Sequence, residues 1–213
     1  CEVSNNIIEN NGYGVWLYES SDNTVFSNTV TKCNIGVNVD VGSHRNNIEG
    51  NIIEHNTVKI FENVAYGLLI KRANENTVTY NMVQDNTNGV YVYGASNNVF
   101  TRNTIRSNDN FDIEVSKYVS YEVTGVSTRV DATENSFHHN YWGNYTGTDT
   151  NQDGIGDTAY TIKEQNHDST PLMDPIIIPE FPSLALLVAL IAVCAVLALF
   201  YQKLVTDNTR KQK

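Results

Sequence analysis

The unit Asn-x4-Asn occurs at Asn23–Asn28 and returns at Asn46–Asn51, Asn76–Asn81, Asn98–Asn103 and Asn135–Asn140. The first four copies start 23, 30 and 22 residues apart and the last lies 37 further on, so a turn of about 22 residues recurs with two insertions. That period belongs to solenoids, in which each repeat buries its apolar face only against its neighbours. Between the asparagine pairs lies a second recurring piece: Gly14–Tyr18, Gly36–Asp40, Gly67–Lys71, Gly89–Tyr93 and, without its glycine, Asn110–Glu114. Each alternates with period two and reads as a strand, with Val15/Leu17, Val37/Val39, Leu68/Ile70, Val90/Val92 and Phe111/Ile113 on one face.

Two shorter strands per turn are marked by Val25, Ile48, Val78 and Phe100, and by Val30, Ile53, Val83 and Ile105. Three short strands per turn with no helical period predict an all-β, right-handed, single-stranded parallel β-helix. A leucine-rich repeat is the main competitor, but its regular leucine pattern is missing. The asparagines suit stacking between coils, because an amide can bond main-chain groups above and below and identical residues then form ladders.

The coils occupy residues 1–145, a closing segment 146–175 and a linker 176–183. The longest insertions fall at Thr57–Asn63 and Lys117–Thr133, the second long enough to carry strands of its own. Leu184–Tyr201 is an uncharged apolar run of 18 residues, the length of a membrane helix, and 202–213 is a basic tail expected to be cytoplasmic, with the coils outside. The net charge is −10, and because the tail is basic the remainder carries −13, which argues against nucleic acid as a partner. Cys1, Cys33 and Cys194 are too scattered for a disulfide framework or a metal cluster. The first residues already look like the middle of a coil, an expectation that sequence lies upstream.

The closing stretch Asn140-Tyr-Trp-Gly and Asp153-Gly-Ile-Gly-Asp157 resembles the NosD-like right-handed β-helix family of surface and periplasmic proteins, over about residues 5–175. Carbohydrate-binding and sugar-hydrolysing proteins share such repeats. Pro179-Glu180-Phe181, the apolar run and the basic tail resemble an archaeal PEF-type sorting signal, which implies a membrane transpeptidase as a partner; a plain anchor explains the same residues.

Three constellations bear on chemistry. Asp149, Asn151, Asp153 and Asp157, with the Ile155 carbonyl and Gly154 at the turn, have the spacing of a calcium loop, although Tyr160 stands where a bidentate Glu would. Glu164 or Asp168 would then have to substitute; the competing reading is a set of Asx turns. Copper, which the family's name suggests, would need converging imidazole or thioether ligands, and His44, His55, His138, His139, His167, Met82 and Met173 are scattered, so no copper site is expected. On the outward face of the principal strand Trp16, Asn38, Leu69, Tyr91 and Asp112 form one row and Tyr18, Asp40, Lys71, Tyr93 and Glu114 the next. Trp16, Tyr18, Tyr91 and Tyr93 would stack on sugar rings, while β-sheet surfaces favour such residues for packing alone. Asp40, Asp112 and Glu114 are the carboxylates a glycosidase could use. The reading is a membrane-anchored surface β-helix that binds a polysaccharide or builds a surface layer, with a polysaccharide hydrolase or lyase as the alternative.

Overall fold

Three rows of asparagine, one at each corner, set the cross-section of the chain. In the computed structural model, which describes residues 1–58, 64–121, 127–163 and 166–178, each ladder asparagine donates both its backbone N–H and its Nδ2–H to the Oδ1 of the asparagine one coil on. The longest row runs Asn6, Asn28, Asn51, Asn81, Asn103, Asn140, with every step at 2.9–3.1 Å. A second runs Asn23, Asn46, Asn76, Asn98, Asn135. A third, absent from the sequence reading, runs Asn56, Asn86, Asn108 and is entered by the backbone N–H of Cys33. Each asparagine is preceded by a left-handed residue, as at Ser27, Gly50, Tyr80, Arg102 and His139 along the longest row. A non-glycine residue there costs about 1–2 kcal/mol, so the corner depends on the amide that follows it.

Between corners run three parallel sheets. Thr24–Phe26, Asn47–Glu49, Thr77–Thr79, Val99–Thr101 and Ser136–His138 form the middle of an eight-stranded sheet. Thr29–Thr31, Ile52–Glu54, Met82–Gln84 and Thr104–Arg106 belong to a six-stranded one. The principal sheet has five strands, Tyr13–Leu17, Ile35–Val39, Tyr66–Lys71, Val90–Tyr93 and Ile113–Ser116. The expected stacks are present: Val25, Ile48, Val78 and Phe100 are in register and sealed inside, as are Val30, Ile53, Val83 and Ile105, and the structure extends them with Phe137 and Trp142. The Lys117–Thr133 insertion carries an antiparallel pair, Tyr118–Tyr121 with Ser127–Val130.

The fifth principal strand departs from expectation by two residues. Val90 pairs with Ile113 and Val92 with Val115, so Ile113/Val115, rather than Phe111/Ile113, is the inward pair. The repeated glycine explains why this was hard to read. A Cβ on Gly36 would stand 2.6 Å from the Gly67 carbonyl oxygen of the next coil and 2.8 Å from Asn56 Nδ2. Asp112 holds the equivalent place, since the Val90 N–H donates to its carbonyl. It directly precedes the last principal strand, so no following strand of that sheet brings a carbonyl against its Cβ.

Two ladders end on carboxylates. Asp112 Oδ1 accepts the N–H and Nδ2–H of Asn108. The fully buried Asp168 accepts from Asn140 N, Asn140 Nδ2 and Trp142 Nε1 through Oδ2, and from Thr170 N through Oδ1. An amide row whose N–H groups all point toward one end presents donors there, and a carboxyl oxygen accepts two of them at once. Among the described residues no helix is long and apolar enough to cross a membrane; the apolar run 184–201 and the tail 202–213 lie outside the described residues.

Asn81 Nδ2 also donates to the Ile48 and Thr79 carbonyls. Asn81→Ala therefore strands buried donors and acceptors in three coils at about 1–3 kcal/mol each, and should lower the melting temperature by well over 10 °C. Asn47→Ala, on the surface, should shift it by no more than about 0.5 kcal/mol in stability. Equal effects in a thermal melt would refute the ladder's primacy.

Candidate functional site

The outward face of the principal sheet carries the site, and its alternation decides which side chains reach it. Val37 and Val39 are sealed inward, leaving Asn38 and Asp40 outward. The corrected register places Trp16, Asn38, Leu69, Tyr91 and Glu114 in one row. Lys71, Tyr93 and Ser116 lie in the next, which Asp40 continues beside Leu17 and Tyr18. Asp112 is in neither row, and Glu114 stands beside Tyr91 rather than Tyr93.

Two aromatic clusters flank a groove. At the N-terminal edge Tyr13 stacks on Trp16 with centroids 4.8 Å apart, and Trp16 meets Tyr18 edge-on at 5.7 Å. Toward the C-terminal side Tyr91 stacks between Tyr66 at 5.5 Å and Tyr93 at 5.3 Å. Trp16 and Tyr91 are three strands apart, about 14 Å at the spacing of a sheet. Small or narrow side chains, Asn38, Asp40, Leu69 and Lys71, lie between, and the hollow encloses about 250 Å³. Tyr13 and Tyr66 line it and were missed from sequence, because both lie before the alternating pattern begins. Trp16 and Tyr18, half exposed, stand on the flank; Tyr91 and Tyr93 line the hollow itself.

The polar groups of the groove are unevenly satisfied. Asp40 Oδ1 accepts the Val41 N–H at 2.8 Å. Asn34 Nδ2 donates to the Val58 and Val64 carbonyls, pinning both ends of the first insertion. The Oδ1 atoms of Asn34 and Asn38 are buried and accept no hydrogen bond from the described residues. A buried polar atom left without a partner costs about 1–3 kcal/mol. Tyr91 shares a 2.8 Å hydrogen bond with Ser116 Oγ, and burial pushes its phenol pKa up.

The carboxylates proposed for catalysis do not converge. Asp112 is tied to Asn108, and burial raises its pKa against the lowering pull of those hydrogen bonds. Glu114 pairs with Lys163 of the closing segment at 3.1 Å. Asp40 is the one carboxylate in the groove lining, so the described residues offer no acid and base facing each other there.

In the loop at 149–157 the oxygens turn to their own backbone. Asp149 accepts from the Asp153 and Gly154 N–H groups, Asp153 Oδ1 from the Ile155 N–H, and Asp157 Oδ2 from Thr150 N, Thr150 Oγ1 and Thr148 Oγ1. The Thr150 hydrogen bonds hold the Asp157 pKa below the usual carboxylate range. Gly154 at φ +82° makes the turn. Asp168 is buried as a ladder terminus, so it is not free to complete this loop.

Model-based comparison matches residues 1–61 to the family described as periplasmic copper-binding protein (NosD), and residues 58–156 to the right-handed β-helix region. The A-module of the mannuronan C-5 epimerase AlgE4 of Azotobacter vinelandii is similar at 16% identity, over 66% of this chain and 46% of that one, with a TM-score of 0.45. The chain thus spans under half of that module's length. No curated protein matches. Copper can be tested against the residues. Among those described, one cluster brings three ligand-bearing side chains together, Glu54, His55 and Asp85, with donor atoms within 4.8 Å of one another. One imidazole with two carboxylates does not fit copper(I), which selects thiolate and thioether sulfur, and Glu54 Oε2 already accepts from Gln84 Nε2.

Because burial raises the folded-state pKa of Asp112, its ionised form disfavours folding at neutral pH, and that penalty disappears as pH falls below the ordinary value of 3.8. Asp112→Asn keeps an acceptor for Asn108. It should raise the melting temperature at pH 7, with the gain shrinking to nothing at pH 3. A gain that grows on acidification in parallel thermal melts would reverse the assignment.

Proposed function

Since this chain belongs to the NosD-like right-handed β-helix family, we propose that it is a membrane-anchored cell-surface module that holds a polysaccharide in the groove of the principal sheet. The observation that carries this reading is the pair of aromatic clusters flanking a hollow lined with amide, carboxylate and ammonium groups. Sugar rings present apolar faces to aromatic side chains and hydroxyls to polar ones, and this hollow offers both. The anchor is residues 184–201, uncharged and apolar, with the basic tail 202–213 in the cytoplasm and the coils outside. A transpeptidase recognising Pro179-Glu180-Phe181 would release the coils from that anchor. A surface-layer role is compatible with the same placement.

Binding without turnover follows from the carboxylates, since Asp40 has no second acid opposite it in the groove lining. A hydrolase working with a carboxylate pair would need Glu114 released from Lys163. Tyr91→Ala and Tyr93→Ala should each weaken glycan retention by 10-fold or more, on the order of 1–3 kcal/mol, without a large change in melting temperature. The measurement is affinity electrophoresis with purified protein, together with labelled glycan on intact cells before and after external protease. Retention that survives both substitutions would remove the groove from the function. Reducing ends or unsaturated products that vanish in Asp40→Asn or Glu114→Gln would make the protein an enzyme.

Calcium is a second proposal, at Asp149, Asn151, Asp153, the Ile155 carbonyl and Asp157. Supporting it is the curl of Asp149 and Asp153 over the Gly154 turn; Asp157 would have to leave Thr150. Extracellular calcium modules bind at about 10⁻⁴–10⁻³ M. Millimolar calcium should therefore raise the melting temperature, and Asp149→Ala should abolish the rise; identical melts in calcium and chelator would rule the site out.

A further inference from the structure

Asn38 is, with Asn34, an exception among the buried asparagines of this molecule. It stands outward on the second strand of the principal sheet, in register with Trp16 on one side and Leu69 on the other, yet is only 2% exposed. Its side chain forms no hydrogen bond with any described residue, and its Oδ1 is unpartnered. Ladder asparagines inside the rows, by contrast, satisfy both ends of the amide, as Asn51 and Asn81 do. Packing does not demand an amide at this position, because the same row one strand on is filled by Leu69. Asn34, 1% exposed, lines the same groove, and its Oδ1 also lacks a donor.

The groove thus presents three acceptors that are unsatisfied or only partly satisfied, beside the Asn38 Nδ2 amino group. Two are orphaned amide oxygens, a third is the Asp40 carboxylate, which spends one oxygen on Val41, and the single cation in the lining is Lys71. The terminal torsion of asparagine is broad, so a small turn of the Asn38 amide presents its oxygen to an occupant. Such an occupant has to supply hydrogen-bond donors. A polyuronate instead carries a carboxylate on every ring: one could rest on Lys71, but the next would face Asp40 and the orphaned oxygens in a chain of net charge −10.

Resting on the reading of the groove as a saccharide site, we propose that Asn38 selects for a neutral, hydroxyl-rich glycan by accepting hydrogen bonds from its hydroxyls, and that the groove discriminates against polyuronates. Asn34, directly before the second principal strand, and Asn38 within it lie four residues apart, about 13 Å, so hydroxyls of successive sugar units would satisfy them while Lys71 donates in return, and the flanking tyrosines would cover the ring faces. A site whose buried polar group is satisfied only by the ligand rejects ligands lacking the matching donor more sharply than an apolar site does.

The test compares the wild-type chain, Asn38→Leu and Tyr93→Ala on a neutral β-glucan, a neutral mannan and polygalacturonate, with affinity and melting temperature read for each. The wild type should retain a neutral polymer at least tenfold more tightly than polygalacturonate. Asn38→Leu should lose about tenfold in affinity, the equivalent of one hydrogen bond, while its melting temperature holds or rises because an unpartnered amide has been removed. A fall in melting temperature with affinity unchanged would make Asn38 a structural residue, and polygalacturonate bound as well as the neutral polymers would refute the selection. Failure of the underlying reading looks different: the wild type then retains no polymer of either class, Tyr93→Ala changes nothing, and the inference falls with it.

Discussion

Everything in this molecule hangs on the hydrogen bond from one asparagine amide to the next. Each coil is too short to bury its own apolar residues, and its corners are held by residues in the left-handed region that would relax elsewhere. The stacked amides hold those corners in place, each one taking two donors from the coil before and passing two to the coil after. Alignment within the rows makes them mutually polarising. It also makes them directional, which accounts for the carboxylates of Asp112 and Asp168 where two rows stop.

That rigid frame is what makes a specific groove possible on a plain sheet surface. Coil stacking fixes neighbouring side chains about 4.8 Å apart, so two aromatic clusters three strands apart keep their separation without a loop or hinge to set it. The glycine row contributes as well: it brings successive backbones so close that no Cβ fits at Gly36. Asn34 then joins the frame to the first insertion through the Val58 and Val64 carbonyls. The groove accordingly sits where the regular repeat is first interrupted, as expected of solenoids, whose functions gather at departures from the repeat.

The chemistry of the face turns on what each charged group is already doing. Read as a linear pattern, Asp40, Asp112 and Glu114 are three acids on one surface. In the fold Asp112 ends a ladder, Glu114 holds the closing segment through Lys163, and Asp40 remains in the groove. Spacing along a strand says which acids share a face; it does not say which of them are already committed to other partners.

The sequence by itself determined the solenoid, because an asparagine at a corner and a valine or isoleucine inside have to recur with the coil, and a repeat of that length leaves its mark in any single chain. It determined the register of four principal strands, where a glycine marks the start, and lost the fifth, where Asp112 replaces it. The third ladder was legible in principle, since Asn11, Asn56, Asn86 and Asn108 each follow a ladder asparagine by five residues; Cys33, in the place between Asn11 and Asn56, broke the pattern. Tertiary structure alone decided that Asp168, far along the chain, closes the longest ladder. It alone decided that Tyr13 and Tyr66 join the groove, and that Asn38 is an amide with nothing to bond. Those facts depend on how much of each side chain its neighbours cover and which partners remain once the coils are stacked, and neither quantity is a property of a residue and its spacing.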